Sequence, residues 1–104
     1  MRADFITVAV RTGGSGMGGV SLLVVEAGTP GFTRSPLQKM GWWCSDTATL
    51  YFQDCRVPVA NLVGEEGAGF KYAMAGLDGG RLNIAACSLG GARLALEAAQ
   101  DYVA

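Results

Sequence analysis

The 104-residue chain contains no histidine, and only three cysteines, three prolines and two tryptophans. Without an imidazole, Ser-His-Asp and Cys-His arrangements and imidazole-bound metals are excluded. Cys44, Cys55 and Cys87 are odd in number and form no Cys-x-x-Cys pair, which argues against a disulfide framework or a zinc site. They read as small apolar packing residues kept reduced. Charge of one sign is also missing: 8 Lys plus Arg oppose 9 Asp plus Glu, for a net charge of −1 and a pI near 5.2. With no basic stripe, nucleic acid and anionic membrane have no electrostatic claim as partners. Apolar runs such as Leu22–Val25 stop far short of the roughly 18–20 residues that span a bilayer. Met1-Arg2-Ala3-Asp4 leads into a strand pattern rather than a long apolar region, so no signal peptide is read there.

What is present is apolar and rich in glycine. Half of the residues are hydrophobic, 16 are glycine, and mean hydropathy is +0.28, a composition that argues against disorder. The length suits one small domain, which would bury about 60–65% of its unfolded surface.

Two periodicities meet near residue 65. Phe5–Val10 and Val20–Val25 are β-branched and apolar, joined by a glycine-rich turn over Thr12–Gly19. Gly28-Thr29-Pro30-Gly31 is a turn, because proline presets φ and glycine tolerates positive φ. A shorter strand follows around Phe32–Leu37. Thr49–Gln53 alternates around Leu50 and Phe52 as a half-buried strand, which Val57-Pro58 should end or turn into an edge. From Gly67 the period becomes helical, with Phe70, Met74 and Leu77 on one face of a short helix. Asp78-Gly79-Gly80 should break it, since paired glycines in a helix interior cost about 2 kcal/mol relative to alanine. A second helix is expected from about Arg81 onward. Its Leu82, Leu89, Leu96 and Val103 recur every seventh position, with Ala85, Ala92 and Ala99 three residues after each leucine. Such a seam packs closely against helical neighbours, and this chain holds none of adequate length. The expected class is therefore α+β: an antiparallel β domain over residues about 4–64, then two helices, the second long and part of an incomplete bundle.

Four chemical signals compete with plain structural readings. Gly14-Ser15-Gly16-Met17-Gly18-Gly19 matches Gly-x-Gly-x-x-Gly, but a strand rather than a helix follows it, so a hairpin loop is the better reading. Asp46 is either catalytic or a member of an ordinary side-chain turn in Cys44-Ser45-Asp46-Thr47. Glu65 and Glu66 are adjacent and cannot oppose each other across a bond; they suit a solvated loop or a helix start. Arg81, placed at a helix start, would oppose the macrodipole at a cost of about 0.3–1 kcal/mol. It therefore calls for a partner, which is either Asp78 one turn back or a ligand approaching over Gly79 and Gly80.

In order, Gly41-Trp42-Trp43-Cys44-Ser45-Asp46-Thr47, Cys55-Arg56-Val57-Pro58, Asn61–Phe70 and Leu77-Asp78-Gly79-Gly80-Arg81 resemble the middle of an acyl-CoA dehydrogenase. Gly79–Ala85 and Cys87-Ser88-Leu89-Gly90 are most similar to short branched-chain members, isobutyryl-CoA dehydrogenases in particular. The resemblance implies that residues 1–65 belong to the family's middle β domain and 66–104 to the start of its C-terminal helical domain. It implies FAD as cofactor, an acyl-CoA substrate desaturated at its α,β bond, and an electron-transferring flavoprotein as acceptor. A homo-oligomer, tetrameric in a full-length parent, and a bacterial cytoplasmic or mitochondrial matrix location also follow from it. Asp78, Gly79, Gly80 and Arg81 match the segment beside the acyl-CoA and are the expected substrate-binding residues. In one branch the catalytic glutamate directly precedes this arginine; here Gly80 stands there. The resemblance then places the base past Ala104 and the flavin-contacting segments before Met1, so no catalytic residue is assigned and the isolated chain is expected to be inactive. Trp42 and Trp43 occupy a different motif from the flavin-stacking tryptophan. An acyl-CoA oxidase, or a non-catalytic interaction module carried by the Leu/Ala stripe, is the alternative.

Overall fold

The structure, a computed structural model, describes residues 2–104; Met1, the first residue of the expected β domain, lies outside them. The chain divides into two compact units, one ending at Phe70 and the other running from Lys71 to Ala104.

In the first unit, β1 (Phe5–Arg11) and β2 (Val20–Glu26) pair antiparallel, from Phe5 opposite Glu26 to Arg11 opposite Val20. The period-2 pattern holds along β1: Ile6, Val8 and Val10 are half-buried while their neighbours face solvent. The Gly-x-Gly-x-x-Gly segment is the hairpin connection. The Thr12 and Gly13 N–H groups donate to the Gly19 carbonyl, at 3.0 and 3.2 Å, and Arg11 Nη1 donates to the carbonyls of Gly14 (2.7 Å) and Gly16 (3.2 Å).

A second antiparallel pair, β3 (Phe32–Pro36) and β4 (Ala48–Phe52), places Phe32 opposite Phe52, and their rings stack 4.9 Å apart at 13°. The turn into β3 runs through Gly31 at φ 83°, where an added Cβ would lie 2.1 Å from the Gln53 carbonyl oxygen. Strand β4 ends at Phe52, well before Pro58, because Asp54 turns the chain at φ 50°.

Residues 59–69 are clasped against β2. Asn61 Nδ2 donates to the Val24 carbonyl at 2.9 Å and the Val63 N–H to the Leu22 carbonyl at 2.9 Å. Ser21, fully buried in the middle of an apolar strand, is the hub: its Oγ accepts the Gly67 N–H at 2.8 Å and lies 2.7 Å from Thr12 Oγ1. The apolar core is small, with Val25 and Phe32 its buried members among the described residues.

The helical part corrects the expectation of two helices. A single helix, α1 (Gly69–Val103), runs for 35 residues straight through Asp78-Gly79-Gly80. Local propensity loses to cooperativity here. A break would leave end carbonyls and N–H groups without intrahelical partners, and the restart would require a new nucleus. A nucleation parameter of about 10⁻³ corresponds to about 4 kcal/mol, against the roughly 2 kcal/mol that the glycine pair costs. Arg81 therefore sits well inside α1, and the expected macrodipole penalty does not apply, since that effect is confined to the terminal turns. The seam residues Leu82, Leu89, Leu96 and Val103 are 74, 72, 60 and 81% exposed.

Candidate functional site

The tetrapeptide Asp78-Gly79-Gly80-Arg81 occupies one turn of α1, and all four residues are exposed. At 100° per residue, Asp78 lies one turn before Leu82 and Arg81 one turn before Ala85. Both charges thus fall on the face that carries the Leu/Ala seam. The seam row itself is apolar from Leu82 to Val103 and carries charge at its N-terminal end, at Asp78 and Lys71, while Arg81, like Arg93 one turn after Leu89, flanks it. Wherever the seam is covered, this ion pair is carried toward the covered side, where an uncompensated charge is expensive.

The pair itself is loose. Arg81 Nη1 donates to Asp78 Oδ1 at 3.4 Å, with the two side chains 73 and 80% exposed, so it contributes at most about 1 kcal/mol. Both readings of Arg81 therefore meet in one geometry: the salt bridge exists, and it is weak enough to yield the guanidinium to a stronger acceptor. Around the helix from this pair, Gly76, Leu77, Gly80, Arg81, Ile84 and Ala85 bound an open apolar concavity of about 580 Å³. It exists because Gly76 and Gly80, one turn apart, carry no side chain, and an added Cβ at either would meet nothing within 4 Å. A cation beside a side-chain-free apolar strip can take a ligand with a polar head and an aliphatic body.

The remaining candidates do not join this turn. Asp46 Oδ2 accepts the backbone N–H of Arg2 at 3.1 Å and its Nε at 3.2 Å, an ion pair at the margin of the β3–β4 sheet. Trp42 and Trp43 are exposed in a loop that Lys39 organises, its Nζ donating to the carbonyls of Trp42 (2.8 Å) and Ser45. Cys44 and Cys87 are exposed and Cys55 half-buried, all free thiols. Among the described residues no three His, Cys, Asp or Glu side chains converge as a metal site. Ser21 was not singled out from the sequence; the signal was a lone hydroxyl within Val20-Ser21-Leu22-Leu23-Val24-Val25, where burial obliges it to find partners.

A glycine-clasped β unit followed by a long helix with an apolar seam and an ion pair at its edge defines an α+β segment. Residues 67–104 match the family described as acyl-CoA dehydrogenase, C-terminal domain. The chain is 50% identical over 102 residues to the mitochondrial isobutyryl-CoA dehydrogenase of Bos taurus, covering 97% of this chain and 24% of that protein. It is 54% identical over 103 residues to the mitochondrial isobutyryl-CoA dehydrogenase of Dictyostelium discoideum, covering 97 and 25%. The crystal structure of a probable acyl-CoA dehydrogenase from Mycobacterium abscessus superposes with a TM-score of 0.78 at 60% identity, over 81% of this chain and 23% of that one. The chain belongs to the acyl-CoA dehydrogenase family. It spans about a quarter of the length of the curated relatives it matches.

Proposed function

We infer that the chain forms one wall of the acyl-CoA site of an FAD-dependent dehydrogenase that introduces an α,β double bond into a short or branched acyl-CoA. The observation that carries this reading is the exposed Asp78–Arg81 turn, a weak ion pair at the N-terminal end of the apolar seam whose Arg81 also borders the Gly76/Gly80 concavity. Arg81 is the group that would meet a thioester carbonyl or a phosphate, Asp78 the group that orients it, and Gly79 and Gly80 the open backbone over which the ligand lies. Residues 1–65 are read as part of the middle β domain and 66–104 as the start of the helical domain, in keeping with the family match that begins at residue 67.

The described residues do not by themselves fit a flavin. The one loop with a dinucleotide-like spacing is spent on a β1–β2 hairpin, and its arginine, Arg11, is turned back onto the loop's own carbonyls. FAD would therefore be held through residues other than these. Gly80, directly before Arg81, has no side chain to take a proton and cannot serve as the base. The isolated chain is accordingly expected to show no acyl-CoA-dependent dye reduction with added FAD; turnover would refute the assignment.

Electron-transferring flavoprotein as acceptor, a homo-oligomeric parent, and a bacterial cytoplasmic or mitochondrial matrix location belong to the same reading. Two of the relatives are themselves described as mitochondrial, and no helix among the described residues is long and apolar enough to cross a membrane. In a parent enzyme that contains this segment, Arg81→Ala should raise KM for isobutyryl-CoA about tenfold or more, the equivalent of losing one charge-assisted contact of about 1.5–3 kcal/mol. An unchanged KM and kcat would remove Arg81 from the site. Peroxide formation by that parent in air, in place of electron transfer to a flavoprotein, would favour the oxidase alternative.

A further inference from the structure

Ser21 stands at the point where α1 begins. The segment that leads into the helix is poor in side chains that could pack it: Gly64 and Gly67 sit at φ 71° and 80°, and an added Cβ on Gly67 would lie 2.5 Å from the Gly18 carbonyl oxygen. Its place is therefore defined by hydrogen bonds to β2. The Val63 N–H donates to the Leu22 carbonyl, Ala68 forms a parallel bridge with Val20, and the Gly67 N–H donates to Ser21 Oγ at 2.8 Å. The last of these is made through a side chain of β2, fully buried in an apolar strand. Two residues later α1 opens at Gly69, which lies directly on the Ser21 backbone. An apolar contact fills space without direction, whereas a hydrogen bond fixes both the distance and the bearing of its partner. All of these atoms belong to the unit that ends at Phe70.

We propose that Ser21 is a positioning residue for the acyl-CoA site: its hydroxyl fixes the start of α1 and, through that helix, the place of Arg81. The inference rests on the reading of Arg81 given above. Helix α1 is unbroken between Gly69 and Arg81, so angular play at its start is carried along it. Arg81 lies about 18 Å along the helix from Gly69 at about 1.5 Å per residue, and a tilt of about 3° over that length moves it by about 1 Å. A misplacement of about 1 Å at a group that meets the substrate can cost about 100-fold in rate. Thr12 separates this role from a contribution to stability alone. Its Oγ1 shares the same hydroxyl at 2.7 Å, yet without it Ser21 Oγ still accepts the Gly67 N–H. Losing Thr12 Oγ1 therefore weakens the β unit but keeps the tie at the helix start.

The test uses a parent holoenzyme that contains this segment, with steady-state kinetics on isobutyryl-CoA. Ser21→Ala should raise KM about three- to tenfold while the purified enzyme keeps its bound-flavin absorbance. Thr12→Val should lower thermal stability and leave KM within about twofold of the wild type. In an Arg81→Ala background, Ser21→Ala should add less than about a further twofold, because the guanidinium whose place it sets is already gone. Where Ser21→Ala yields no holoenzyme, Ser21→Cys, which keeps the volume but accepts hydrogen bonds poorly, should give the same rise in KM. An unchanged KM in the Ser21 variants beside a raised KM in Arg81→Ala would overturn the inference and leave the reading of Arg81 standing. An equal rise in Thr12→Val, or effects of Ser21→Ala and Arg81→Ala that multiply, would overturn it as well. An unchanged KM in Arg81→Ala would remove that reading, and this inference with it.

Discussion

At the scale of single residues, the least tolerant positions are those where backbone meets backbone. An added Cβ on Gly69 would lie 2.7 Å from the Ser21 carbonyl carbon and 2.8 Å from its Cα, atoms that no side-chain rotation can clear. Gly69→Ala should therefore destabilise the clasp by about 1–3 kcal/mol, read as a lower urea midpoint, even though alanine is the better helix former. Ser21→Ala acts through polarity rather than volume. It leaves the Gly67 N–H and Thr12 Oγ1 without their partner at a buried point, and should cost about 1–3 kcal/mol by the same titration. Thr12→Val in the Ser21→Ala background should then cost less than Thr12→Val alone, because the bond is already gone. Asp78→Asn should leave stability within about 0.5 kcal/mol, since its ion pair is long and exposed. These contrasts show what the sequence made legible. Gly67 was legible only as the point where the helical period begins, and the necessity of glycine at 69 comes from β2 lying underneath, a contact no local pattern encodes. Asp78 and Arg81 were legible as a pair because their spacing of three residues is itself the geometry.

At the scale of elements, β1, β2, β3 and β4 fall within a residue or two of where alternation and turn chemistry put them. The strand patterns and the Gly28–Gly31 turn each act over a few residues and are not contested by distant groups. What local pattern could not supply was the division into two two-stranded sheets, which depends on which edges meet. The helix break failed for a complementary reason. Propensity weighed two glycines, while the outcome was set by the cooperativity of the 35-residue helix around them. A consequence can be measured. Gly79, Gly80, Gly90 and Gly91 all have room for a Cβ, with nothing within 4 Å. Gly90→Ala should therefore raise helix content and shift stability upward by about 0.5–1 kcal/mol, through the unfolded chain's lost entropy. Gly80→Ala should do the same in circular dichroism, yet in a parent enzyme it should weaken isobutyryl-CoA binding, because the methyl enters the strip beside Arg81. A gain in helix stability with unchanged binding would separate the glycine from the ligand site.

At the scale of the molecule, the chain has one unit whose apolar core, among the described residues, is two buried side chains and another that is a single helix with its apolar face in solvent. Two-stranded sheets are marginal by themselves, and a helix gains most of its stability from packing its apolar face rather than from propensity. The heptad of leucine and alanine announced that deficit from sequence alone, because such a seam has no purpose on a solvated helix. It could not announce what fills it, since the partner's side of the interface is not written in the same residues unless the partner is the same chain. A second copy of the chain is such a case, and it would make stability depend on concentration. If a second copy completes the seam, each tenfold rise in chain concentration favours the pair by about 1.4 kcal/mol, so the melting of α1 followed by far-UV circular dichroism should move to higher temperature. Leu89→Lys should abolish the concentration dependence and leave only the low-temperature transition. A midpoint that stays fixed across a hundredfold dilution would mean that α1 holds its helix without a partner, and the exposed leucines would then have to be explained by something other than the need to be covered.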